Sequence, residues 1–117
     1  LTVALTGRWR IVGMDLWDQD AIDLVGPGFI EFSEDGTGGF GFIAVQGSMD
    51  CRTSRRDGRP FVEFTWMGHD EGDEVFGRGW VALGHDDALT GHLFFHQGDD
   101  SGFRATPFPR VSQRRPR

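Results

Sequence analysis

The stretch over residues 75–103, VFGRGWVALGHDDALTGHLFFHQGDDSGF, constrains the fold of this chain more than any other. It reads as two strands joined at His85-Asp86-Asp87-Ala88, with a third opening after Gly98-Asp99-Asp100-Ser101-Gly102. Apolar and polar side chains alternate along it with the period of an extended chain, not of a helix. It also holds the densest mixture of aromatic, basic and glycine residues, the composition of a binding wall.

A chain of 117 residues fits one domain with one hydrophobic core. The 18 Gly, 11 Phe and 4 Trp, with no long segment at helical period, point to an all-β protein in which aromatics fill the pleated faces and glycine serves the corners. The net charge of −6 conceals a division: Arg110, Arg114, Arg115 and Arg117 follow all 18 carboxylates, so without these four the remaining eight Arg leave a net of −10. An acidic body lacks the clustered positive surface that nucleic acid requires, so no nucleic-acid partner is expected. No run has the apolar length of a membrane span, so no membrane partner is expected either. Cys51, the single cysteine, excludes an internal disulfide and fits a reducing, cytoplasmic setting. The division predicts a β-barrel domain over residues 1–109 and a basic, disordered tail over 110–117.

Taken in order, residues 6–15 alternate as a first strand, with Trp9 and Ile11 on one face. Residues 16–28 break the alternation; Asp18 stands as an N-cap for one short helical turn over 18–25, and Gly26-Pro27-Gly28 stops it, giving a plug across one end. Residues 29–33 form a second strand and 39–53 a long third that is apolar on both parities, with Gly47 the expected bend. Val62, Phe64 and Trp66 point inward from the next strand. Seven strands joined by short loops make a meander, whose two edges are removed if it closes into a small barrel of seven or eight strands. The eighth comes from residues 1–5 or from bending the third. Alternate loops then fall at opposite ends. Glu34, Asp35, Asp70, Glu71, Asp73, Glu74, Asp99 and Asp100 are expected at one, and the plug with Arg52, Arg55, Arg56 and Arg59 at the other.

Leu5-Thr6-Gly7-Arg8-Trp9 resembles the opening of the avidins, and Gly7-x-Trp9 is similar to the first-strand signature of the lipocalins and other calycins. The wording GRGW, FFHQGDDSGF and WDQD resembles a group of small uncharacterised bacterial proteins. The calycin resemblance implies barrel closure in which Trp9 covers the floor and Arg104, from the last strand, packs across its indole. The lipocalin TDY-type motif and the polar set with which avidins hold biotin have no counterpart here.

For the central hairpin, a three-residue loop at Asp86-Asp87-Ala88 pairs Trp80 with Phe94, Arg78 with His96 and Ala82 with His92, gathering Arg78, Trp80, His92, Phe94 and His96 on one face. The opposite face, with Gly77, Gly79, Val81, Leu83, Leu93 and Phe95, packs, its glycines admitting the rings. A two-residue turn would slip the register by one and disperse the cluster. The gathered face suits a small anionic or aromatic ligand, through the forked Arg donor, the imidazoles and two stacking rings. A wet outer surface, or a protein-partner or homodimer patch, accounts for the same residues.

His92 and His96 span about 13 Å along a strand at ~3.3 Å per residue, too far to share an ion. The loop with Asp70, Glu71, Asp73 and Glu74 lacks EF-hand spacing, so no metal and no cofactor are expected. Nothing buries Glu31 with Glu63 as an acid–base pair, and a strand Cys is ordinarily inert core. The expectation is a non-enzymatic binding protein, with an interaction module lacking a pocket as the alternative and a lipocalin-like-barrel enzyme as the third.

Overall fold

The structure, a computed structural model, describes residues 4–108, so the expected tail over 110–117 lies outside the described residues. Eight strands follow in order: β1 (Gly7–Met14), β2 (Phe29–Phe32), β3 (Thr37–Phe42), β4 (Val45–Arg56), β5 (Arg59–Asp70), β6 (Asp73–Leu83), β7 (Leu89–Phe95) and β8 (Asp100–Pro107). Each pairs antiparallel with its successor and β8 pairs with β1, closing the barrel. The one helix among the described residues, α1 (Gln19–Ile22), is capped by Asp18, whose carboxylate accepts from the Ala21 N–H at 2.9 Å. It is shorter than expected. Leu24 and Val25 lie beyond it, exposed. No helix among the described residues is long and apolar enough to cross a membrane.

The eighth strand comes from the long third segment, but the break is not at Gly47. The chain reverses at Ile43-Ala44, where Phe42 pairs with Val45 and Ile43 takes φ 56°. A β-branched residue in the left-handed region is sterically costly, which is why a turn was not legible there. The Ile43 N–H donates to the Ile22 carbonyl at 2.8 Å, so the helix holds this turn. Gly47 instead sits within β4 opposite Phe40, and a Cβ there would lie 2.5 Å from the Phe40 ring.

That relation recurs around the tube. Trp66 faces Gly77, Phe64 faces Gly79 and Phe103 faces Gly91 across their strand pairs. Each ring covers a position that has no side chain. Gly77 does more: Trp66 and Phe95 meet across it edge to face, centroids 5.1 Å apart, and the Trp66 indole N–H donates to the Phe94 carbonyl at 3.2 Å. Phe40, Phe42 and Trp17 extend this aromatic packing to the end of the tube that α1 covers. The remaining interior is filled by Ile11, Ile30, Phe32, Val62, Val81, Leu89, Leu93 and Ala105, all buried.

Adding a turn at 43–44 changes which loops share an end. The loop carrying Glu34 and Asp35 lies with the β4–β5 hairpin and its Arg55, Arg56 and Arg59, not with the acidic loops as expected. The α1 segment, with Asp15, Asp18, Asp20 and Asp23, joins Asp70, Glu71, Asp73, Glu74, Asp99 and Asp100 instead. The axial polarity therefore persists with a more acidic pole and a mixed one.

Arg104 does not cross Trp9. Phe103 and Ala105 are the inward residues of β8, so Arg104 points outward and bridges Asp86 at 2.9 Å, holding that carboxyl below the usual range. Trp9 is buried at the β1–β8 seam opposite Pro107, its indole N–H donating to the Leu5 carbonyl at 3.0 Å.

Replacement of Gly77 by Ala puts a methyl 1.8 Å from the Phe94 carbonyl oxygen, and is expected to cost about 2–3 kcal/mol in denaturant unfolding. Gly26→Ala, with open space around it, is expected to stay within about 0.5 kcal/mol. Asp23 supplies a pH prediction. Arg10 donates to it through both terminal nitrogens, at 2.8 and 2.7 Å, with Gly28 N–H and Gln19 adding further donors. These hold its carboxyl well below the usual range, the Arg10 hydrogen bonds being the largest cause. Because the folded value lies below the unfolded value of ~3.9, this stabilisation is complete above that value and is lost as pH falls through it toward the folded one. Asp23→Asn is expected to be less stable at pH 6 and to lose less stability than the parent between pH 6 and 3.

Candidate functional site

The outward residues of β4 to β8 form rows perpendicular to the strands. One row runs Asp50–Thr65–Arg78–Phe94–Asp100, and the next Arg52–Glu63–Trp80–His92–Gly102. The hairpin register differs from the favoured expectation. Leu83 pairs with Leu89, leaving a five-residue loop over 84–88, so Trp80 faces His92 and Arg78 faces Phe94. The longer loop forms because Asp86 accepts from the Ala88 N–H at 3.1 Å, Asp87 takes φ 62°, and the Gly84 N–H donates to the Ala88 carbonyl at 2.8 Å. The displacement is two residues, and a shift of two preserves faces. Arg78, Trp80, His92 and Phe94 therefore share the outer surface of the barrel, with Leu93 and Val81 inside.

His96 separates from them. It follows β7 in the turn, exposed, and stacks on Phe76 with centroids 4.6 Å apart, not beside Arg78 as its expected pairing implied. The guanidinium of Arg78 lies 4.4 Å over the Phe94 ring, and the centroid of the His92 ring is 4.6 Å from that of Phe94. His92 Nε2 lies 2.5 Å from an Asp100 carboxylate oxygen, which fixes the imidazole in the row. Trp80 has one face stacked on Phe61, centroids 5.6 Å apart, and Phe61 in turn carries Arg56 at 4.1 Å. Phe61 was missed in the sequence. Its outward parity, alternating with inward Val62, Phe64 and Trp66, was the available signal.

Grooves flank the Arg78–Phe94 ridge. One of ≈ 490 Å³ is lined by Arg52, Glu63, Thr65, Arg78, Trp80 and Phe94, and one of ≈ 550 Å³ by Thr65, Phe76, Arg78, Phe94 and His96. A third of ≈ 500 Å³ lies on the far side of Trp80, against His92 and Arg104. A fourth, of ≈ 600 Å³, continues toward Phe29 past Met67 and Phe76, over Gly39. Arg52 is bridged to Asp50 at 2.8 Å, whereas Arg78 has no carboxylate partner among the described residues. A guanidinium braced on a ring, beside an indole edge and a threonine hydroxyl, offers an anion a forked donor and a ring a stacking surface.

Among the described residues, no three or more His, Cys, Asp or Glu side chains converge closely enough to hold a metal ion. Cys51 faces the interior, where burial pushes its thiol up to about 11. Compared with protein-family models, curated proteins and solved structures, the chain matches none of them.

The buried thiol yields a direct check. Labelling of Cys51 by a disulfide reagent at pH 8 is expected to be roughly a hundredfold slower in the folded protein than in denaturant, following the loss of thiolate.

Proposed function

We propose that this chain is a non-enzymatic binding protein of calycin-like build, which holds a small anionic or aromatic ligand, or such a group borne by a partner, on the outer Arg78/Trp80 surface. The observation that carries the reading is the Arg78 guanidinium, seated on Phe94 without a carboxylate partner among the described residues and opening onto grooves on both sides. Arg78 offers an anion a forked donor on a body whose net charge otherwise repels one, and the adjacent rings favour a flat, unsaturated ligand. The closed up-and-down meander is the architecture that the calycin reading requires. A lone Cys51, which leaves no internal disulfide to form, fits a cytoplasmic, reducing location.

A second reading, a protein-docking or homodimer surface without a small ligand, draws on Met67 and Phe76, 69% and 52% exposed on the same side of the barrel. The two are separable. Trp fluorescence is measured against a panel of aromatic carboxylates and their neutral amides. The ligand reading expects saturable quenching by the acids, at least tenfold weaker in Arg78→Ala and unchanged in Met67→Ser. Absence of quenching, together with concentration-dependent sedimentation that Met67→Ser and Phe76→Ser abolish, would establish the docking surface in its place.

A further inference from the structure

The barrel is closed, yet one of its strands has an uncovered edge. β3 pairs with β4 only as far as Thr37 opposite Asp50, and the last contact on that side is the Cys51 N–H donating to the Gly36 carbonyl at 2.9 Å. Beyond it, residues 52–56 of β4 continue for five residues, paired on one side with β5 and on the other with no strand among the described residues. The side toward which their polar groups point is fixed. Backbone N–H and C=O groups of an antiparallel strand alternate sides with period two, and since Cys51 donates toward β3, Thr53 and Arg55 also direct theirs outward. The turn agrees: Asp57 and Gly58, with φ 54° and 77°, make a two-residue hairpin in which Arg56 pairs with Arg59 and bonds inward to β5. An exposed ladder of this kind is a template for one further strand.

Charge selects the strand. At the pole that also carries Glu34 and Asp35, Arg52, Arg55, Arg56 and Arg59 crowd this hairpin, and only Arg52 has a carboxylate partner among the described residues. Arg55 donates to the Gly58 carbonyl, Arg56 lies over Phe61, and Arg59 keeps a buried Nη1 without a hydrogen-bond partner. A second copy pairing antiparallel through the same edge would centre on Ser54 and set Arg52 against Arg56 twice, the like-charge opposition that sheets disfavour. The four arginines at residues 110–117 give that segment of this chain the wrong sign as well. We propose that residues 52–56 receive an acidic, extended segment of another protein by strand addition, its backbone bonding to Thr53 and Arg55 and its carboxylates meeting the arginines.

The geometry sets the footprint. Five residues at ~3.3 Å each give about 16 Å of edge, enough for a short segment with acidic residues at alternate positions opposite Arg52 and Arg56. The edge adjoins the Arg78 surface at Arg52, which also lines a groove there, but the backbone ladder of Thr53 and Arg55 lies outside that groove and its occupancy does not depend on that surface binding anything.

The test uses the full chain and a capped peptide of alternating Glu and Val, followed by titration calorimetry and amide hydrogen exchange. The proposal expects saturable binding that weakens as salt is raised, with exchange slowed at Thr53 and Arg55. Binding should be lost when alternate peptide amides are N-methylated at unchanged charge, and should fall at least tenfold in Arg55→Glu/Arg56→Glu. Thr53→Pro, which removes an outward N–H, should abolish it, and the methylated peptide makes the same test without altering the protein. Equal binding of the methylated peptide would reduce the site to charge alone and overturn the proposal. So would absence of binding, or self-association of the protein alone that Thr53→Pro removes.

Discussion

The structure depends on rings laid over glycines. A tube of eight short strands has little interior, and Phe40, Phe64, Trp66 and Phe103 would collide with any side chain directly opposite them; Gly47, Gly79, Gly77 and Gly91 occupy those positions. Large and vacant positions alternate so that each ring fills its neighbour's missing volume. Burial of four such rings stabilises the fold, and the same pairings fix register, because sliding a strand by one residue would send its rings outward and by two would set a ring against a side chain, Phe64 against Val81 or Trp66 against Val75. Trp66 adds a hydrogen bond to the Phe94 carbonyl, available only because Gly77 leaves the approach open.

Closure follows from the same packing. Once the interior is full, the first and last strands have nowhere to pair but with each other, and β1 and β8 do so through a bulge between Ile11 and Gly13. Trp9 and Leu5 seal one end, Trp17 and Ile22 the other. The Arg10–Asp23 pair then joins the segment around α1 to β1, with side chains only a quarter exposed, so the polar tie and the apolar plug support one another.

Much of this was legible in the chain, for a reason that also explains what was not. Parity is robust: the alternation of Val62, Phe64 and Trp66 against Glu63 and Thr65, and of Gly77, Gly79 and Val81 against Arg78 and Trp80, assigned faces that hold even though the hairpin loop proved two residues longer than expected. Turns are fragile. Ile43 adopts positive φ only because Ile22 and the core hold it, a tertiary effect that composition cannot signal. That single hidden turn moved Glu34 and Asp35 to the opposite pole. The placement of Arg104 over Trp9 came from resemblance and conflicted with parity, since Phe103 and Ala105 claim the interior. His96 left the cluster because β7 ends at Phe95. The uncovered edge of β4 was beyond sequence reading, because it depends on β3 being half as long as its partner, six residues against twelve.

The central claim is that glycines face aromatic rings inside a closed tube, and solution NMR addresses it most directly. The α-proton resonances of Gly47, Gly79 and Gly91 should lie well upfield of ordinary strand glycines, under the ring currents of Phe40, Phe64 and Phe103, and nuclear Overhauser contacts should join Ile11 to Ala105 across the seam. Glycine resonances at unperturbed positions, with no contact between β1 and β8, would contradict the account.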